Sequence, residues 1–281
     1  MSSGFTNSII AEMDKLVRQP ATWILAAIWL ALNQVFSYLI PYASYTSGES
    51  SPVAGPPGRI LSSLLPENLV FNSISGFPVF AGAIALILGA LSVGSEYGWG
   101  TLKTTLTQRP RRMSLYASKL AALAVAVLAI VAVTFALNAL TSYVIASVES
   151  EAMDWPSLEN LVRGFAAGFL IAAMWCLMGV ALAILFRSTA LPIGLGLVWA
   201  LVIENLIRSV AAPLLDFTET IEKAMPGVNA GSLVAALSGQ TGGTPGVISA
   251  VDGTQAALVL SAYAAAFTLI AGFVLQRRDV T

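Results

Sequence analysis

Few residues in this chain can do chemistry, and their placement narrows the possibilities. Histidine is absent, which removes the commonest metal ligand and general base. The single cysteine, Cys176, sits inside an apolar run, so neither a disulfide framework nor a thiolate metal site is expected. No Gly-x-x-x-x-Gly-Lys-Ser/Thr loop occurs, so ATP has no cradle of backbone N–H groups in this chain. The densest polar chemistry lies in the stretch from Glu96 to Lys119. It opens with an acid, aromatic and glycine turn: Glu96, Tyr97, Gly98, Trp99, Gly100. Leu102 and Leu106 then stand at i, i+4, with Lys103, Thr104, Thr107 and Gln108 on the other faces, and this pattern predicts a short amphipathic helix over 101–108. Pro110 disfavours helical geometry at Arg109. Arg111 and Arg112 follow, and a new helix is predicted from about Met113. Such a helix suits docking to another protein. Leu102 and Leu106 would fill a groove, with Lys103, Arg109, Arg111 and Arg112 as charges at its rim.

The elements that hold this stretch are greasy. Of 281 residues, 57% are hydrophobic and only 10% are charged, too few charges to cover a soluble domain of this size. The reading is an integral, all-α membrane protein, a single transmembrane domain over 1–281. Residues 1–19 form an amphipathic helix with Ile9, Ile10, Met13, Leu16 and Val17 on one side, expected to lie on the membrane surface. Six apolar runs, about 21–40, 77–94, 118–147, 161–186, 190–208 and 255–275, approach the roughly 20 residues a crossing needs. Residues 41–75 read as a loop with a short helix near Ile60–Leu65. Gly164 and Gly168 stand at small-xxx-small spacing, and in a chain this rich in glycine and alanine they read as incidental. The segment 209–254 holds two apolar pieces too short to span, Ala211–Leu215 and Leu233–Leu237, read as short helices dipping into the outer face and buried in protein.

Six crossings put both termini on one side. If that side is cytoplasmic, it collects Lys15, Arg18, Lys103, Arg109, Arg111, Arg112, Lys119, Arg187, Arg277 and Arg278, leaving Arg59, Arg163, Arg208 and Lys223 outside. This satisfies the positive-inside rule. The expected location is the plasma membrane, multi-pass, with both termini and the 96–119 loop in the cytoplasm.

Inside the membrane, ionisable residues usually mark function. Glu204 is the one serious candidate, about four turns into the fifth run, with Arg208 at i+4. The two read more readily as a snorkelling pair at the interface than as a gate. Asn33, Gln34, Asn138 and Asn205 either line a pathway or hold helices together. Glu204 stands alone at its depth, so an embedded enzyme is not expected. Few buried charges argue against an ion channel or proton-coupled carrier, and the sparse polar lining suits an amphipathic or apolar cargo.

The order of parts resembles the membrane subunit of a type-2 ABC exporter. The sequence Glu-Tyr-x-x-Gly-Thr-Leu-Lys, here Glu96, Tyr97, Gly100, Thr101, Leu102 and Lys103, is similar to that family's signature at the end of the second span. Arg111, Arg112 and Lys119 resemble its approach to the third span, and Arg277-Arg278-Asp279 its short tail. The resemblance implies an interfacial helix before the first span, a coupling helix docked on a cytoplasmic ATP-binding-cassette subunit, and short re-entrant helices between the fifth and sixth spans. ATP and Mg would belong to that partner, with no cofactor, metal or catalytic residue in this chain. A second permease subunit and the lipid bilayer complete the expected partners, and no nucleic acid is expected. The alternative is a non-transporting membrane anchor or regulator that recruits a cytoplasmic protein through the same loop.

Overall fold

The computed structural model describes residues 2–48, 56–100, 112–207, 218–238 and 244–277. Of these described residues 87% are helical and none is in a strand, so the all-α reading holds. Helix α1 spans Ser2–Arg18. It ends at Gln19, whose extended backbone (φ −81°, ψ 116°) is the conformation that a following proline imposes. Pro20 then opens α2, Pro20–Thr46. Helix α3 covers Pro57–Leu64, α4 Pro66–Gly98, α5 Arg112–Glu149 and α6 Leu158–Phe186. Helix α7 covers Ala190–Leu206, α8 Thr218–Ala224, α9 Pro226–Ser238 and α10 Gly253–Arg277.

Five of these helices, α2, α4, α5, α6 and α10, are long and apolar enough to cross a membrane, which makes a multi-pass membrane protein. The fifth predicted run, 190–208, is the exception. Helix α7 has its last α-helical residue at Leu206 and is interrupted by a wide π turn at Val198–Ile203. Its described part reaches about 26 Å, against a roughly 30 Å hydrocarbon core. Among the described residues five helices are of full spanning length, and the end of the fifth predicted run, residue 208, lies outside them.

Two other boundaries moved, both at prolines. The first span runs past residue 40 to Thr46, because a π turn at Val35–Leu39 lets the helix absorb Pro41. The second helix begins at Pro66 rather than 77, with a π turn at Phe77–Ala81 around Pro78. Ser, Asn and Pro residues make 66–76 look like loop, yet Leu69, Val70 and Ile74 are buried in it. Asn72 and Ser73 find hydrogen-bond partners there, and burial of the apolar face outweighs weak local propensity.

The core is the α4–α6 pair, flanked by α9 and α10. These helices meet at backbone distance. A Cβ on Gly89 would strike the carbonyl of Cys176, and one on Gly179 the carbonyl of Leu86. Gly164 and Gly168 are not incidental either: added Cβ atoms would meet Val70 at the first and Ile74 and Phe77 at the second. Helix α9 has 13 residues, and Val228 through Ala235 are all buried. Its Ser232 Oγ accepts the backbone N–H of Ala250 at 3.2 Å. The piece Ala211–Leu215 lies outside the described residues.

Candidate functional site: a charge ring at the base of three helices

Helix α1 turns its polar side inward. Ser8, Glu12 and Leu16, at successive i+4 positions, are its buried residues, and they pack along α5. Its apolar residues Phe5, Ile10 and Val17 are exposed, as is Trp23 on the next helix, whose indole N–H donates to the Val17 carbonyl at 2.7 Å. Leu16 therefore leaves the predicted apolar stripe for the core.

Glu12 faces Lys119 near the start of α5 and Lys15 on its own helix, both at 2.6 Å. Both lysines also reach Glu96 in the last turn of α4, Lys119 at 2.8 Å and Lys15 at 3.0 Å. The four groups close a ring of alternating sign and zero net charge. Glu12, Glu96 and Lys119 have side chains at most 10% exposed, whereas Lys15 is 41% exposed. Lys119 also donates to the Ser92 carbonyl at 3.4 Å. Burial pushes the Glu12 carboxyl up, but the ammonium groups of Lys119 and Lys15 outweigh it and leave Glu12 below its ordinary value. Burial pulls Lys15 down, and its bonds to Glu12 and Glu96 outweigh that, leaving it raised. A cavity of about 10 Å³ adjoins the ring, enough for at most a single water. The ring is an internal ionic junction, not a ligand pocket. Among the described residues, no cluster of three acids, histidines or cysteines could hold a metal.

This junction sits where the sequence placed its docking stretch, although its members are not all the ones predicted. Glu96 is committed to Lys15 and Lys119. Tyr97 packs against the core, and Gly100 takes φ +67°, the left-handed conformation glycine favours. Arg112 opens α5 and donates to the Leu275 carbonyl at 3.4 Å. Thr101, Leu102, Lys103, Leu106, Arg109 and Arg111 lie outside the described residues. Glu12 and Lys15 were missed. The available signal was a carboxylate at i−4 from an apolar residue, Leu16, on the side of the chain where lysines and arginines collect.

Three of the predicted amides, Asn33, Gln34 and Asn138, come together between α2, α4 and α5, apart from the ring. Gln34 on α2 donates to Asn138 Oδ1 on α5 and accepts from Thr141 Oγ1 at 2.9 Å. Asn138 Nδ2 donates to Ser73 Oγ at 3.1 Å, and Asn33 Nδ2 to the Asn72 carbonyl at 3.1 Å. The seam thus joins α2, α4 and α5. Asn33 Oδ1 and Trp29 Nε1, one turn apart, are buried there with no hydrogen-bond partner among the described residues. At the far end of the same helices, Tyr42 and Tyr45 donate to the two carboxylate oxygens of Glu149 at 2.8 and 2.9 Å. Asn205 is not part of the seam, since its amide bonds the Leu201 carbonyl on its own helix. Glu204 is buried, accepts from Trp199 Nε1 at 2.9 Å and rests its second oxygen against Gly227 in the first turn of α9. Arg208 lies outside the described residues.

No curated protein gives a match to the chain. A family model described as a protein of unknown function (DUF2705) matches residues 57–281, a range that holds Glu96 and Lys119. With most of its length matched, the chain belongs to the DUF2705 family of proteins of unknown function.

Proposed function

We propose that this protein is the permease subunit of an ATP-driven ABC exporter. Two such subunits, identical or paired with a second permease, enclose the translocation pathway, with closed two-fold symmetry as the default arrangement. A separate cytoplasmic ATP-binding subunit supplies ATP and Mg chemistry. Helix α7 serves as the sixth crossing, completing the predicted run 190–208. Both termini then face the cytoplasm of the plasma membrane. Helix α9 fits the re-entrant element expected between the fifth and sixth spans, because its backbone is buried in protein.

The observation that carries this reading is the Glu96–Lys103 signature at the end of α4, followed by a segment strung between two helix ends that share one charge ring. A rigid root is what a docking segment needs to pass movement to the spans. The amide seam, with Asn33 Oδ1 and Trp29 Nε1 unpaired, supplies polar groups at membrane depth. It suits an amphipathic or apolar cargo such as a drug, lipid or lipid-linked precursor.

The test is co-purification of the tagged chain with the ATP-binding protein encoded beside it, comparing wild type with Leu102→Asp plus Leu106→Asp. Loss of pairing and of ATPase activity, with membrane insertion intact, is expected. Equal pairing by both proteins would overturn the docking role. A non-transporting anchor or regulator is favoured by one observation, the direct hydrogen bonds that close the Gln34–Asn138 seam. ATP turnover of the assembled complex that no candidate cargo stimulates would decide for it.

A further inference from the structure

We propose that the Glu12–Lys119–Glu96–Lys15 ring is a lock that makes α1 one moving unit with the helix ends on either side of residues 101–111. The ring ties together groups far apart in the chain: Lys15 and Glu96 are 81 positions apart, and Glu12 and Lys119 are 107 apart. Each lysine contacts both acids, so no single pair can part without straining the other contacts. The ring is the charged part of the α1 seat, beside Leu16 in the core and Met13 packed against it. Besides Glu12, only Ser8 and Leu16 are buried among its described side chains, while Phe5, Ile10 and Val17 point away from the protein.

Burial makes the lock two-state. With α1 withdrawn, Lys119 and Glu96 keep each other and face water where Glu12 and Lys15 had been. Intermediate positions leave charge both dry and unpaired, the costliest arrangement. Helix α1 therefore sits either on the ring or off it. When locked, it carries any shift of the α4 and α5 ends through the Gln19–Pro20 joint into the first span. That consequence for transport rests on reading 101–111 as the docking segment, whereas the lock itself does not.

The experiment measures the distance from α1 to the end of α4 in the full chain alone, without partner or nucleotide. Spin labels go at Arg18→Cys and Trp99→Cys, both exposed, in a Cys176→Ala background, with the protein in lipid nanodiscs. Wild type is expected to give one narrow distance. Glu12→Gln and Lys119→Met are expected to add a longer, broader component. Inverting all four charges (Glu12→Lys, Lys15→Glu, Glu96→Lys, Lys119→Glu) restores the alternation and is expected to restore the narrow distance. Inverting any contacting pair sets like charges side by side and should not.

A narrow distance in both single variants overturns the lock, as does a fourfold inversion as broad as they are. If the single variants fail to fold but the inversion folds, alternation of charge is what holds α1 and the lock stands. If the inversion also fails to fold, the ring builds the fold rather than locking a movable helix, and the proposal falls. Loss of partner binding by the Leu102 and Leu106 variant would bear on the permease reading alone.

Discussion

Lys119 Nζ lies 2.6 Å from the Glu12 carboxylate, a residue 107 positions earlier in the chain. Both side chains are less than a tenth exposed. The pair joins the surface helix to the third long helix, and Glu96 extends it to the second.

Removing Lys119 leaves two buried carboxylates short of a partner. Lys119→Met is expected to destabilise the protein by about 3–5 kcal/mol, the range for breaking a buried ion pair from one side. Lys15→Met removes a member whose side chain is 41% exposed. It should cost about 0–1 kcal/mol, as for solvent-screened pairs. Thermal unfolding of the two variants in detergent checks the contrast, and equal losses would mean the ring is not dry.

The ring also sets a pH window. The folded value of Glu12 is lowered from 4.5, so its stabilisation is complete above the unfolded value and is lost as pH falls through the folded one. Lys15 is raised from 10.5, so its share is present below that value and is lost as pH rises through the folded one. Melting temperature is expected to be flat between these limits and to fall on both sides. In Glu12→Gln the acid limb should weaken, and an unchanged acid limb would remove Glu12 as its cause.

The lengths and apolar character of the long helices were legible because about 20 apolar residues between charges have few other uses. The exceptions have physical causes. Pro41 and Pro78 look like stops, and π turns carry the helices through them. Polarity in 66–76 suggests loop, but Asn72 and Ser73 are satisfied by contacts that no local pattern contains. The docking stretch showed Glu96 and hid its role. Lys15, which engages Glu96, and Glu12, which engages Lys119, come from a separate helix that reads as a membrane-surface element by its apolar stripe. The amides at 33, 34 and 138 were readable as a set, whereas Asn205 was grouped with them by type alone.

The α4–α6 contact gives a sharper test of packing. Gly89→Ala and Gly179→Ala put a methyl onto a backbone carbonyl of the facing helix, and each should cost about 1–3 kcal/mol through overpacking. Gly194→Ala, where an added Cβ meets nothing within 4 Å, should instead gain about 0.5–1 kcal/mol from helix propensity. Opposite signs in unfolding measurements are expected, and a loss at Gly194 would contradict the open space beside it.

In the amide seam, Gln34 and Asn138 are coupled directly. A double-mutant cycle with Gln34→Leu and Asn138→Leu should return about 0.6 kcal/mol and at most roughly 1.7, the span measured for hydrogen bonds inside membranes. Zero coupling would mean that the two amides do not share a bond in the bilayer.

Glu204 is held from two sides, by the Trp199 indole N–H at 2.9 Å and by the first turn of α9, where Gly227 leaves room for a carboxylate oxygen. A carboxylate at a helix N-terminus is favoured by the helix dipole, which gives the acid a structural reason to be buried without any gating role. Gly227→Ala drives a methyl into that oxygen and should destabilise the protein, while Glu204→Gln keeps the shape and loses only the charge. If Glu204 serves the fold, both variants lower the melting temperature and leave turnover by folded complex unchanged. If it gates, Glu204→Gln keeps the melting temperature and changes cargo-stimulated ATP turnover. Measuring both quantities on the same two variants separates the roles, because burial against α9 predicts the first pattern and a mobile acid predicts the second.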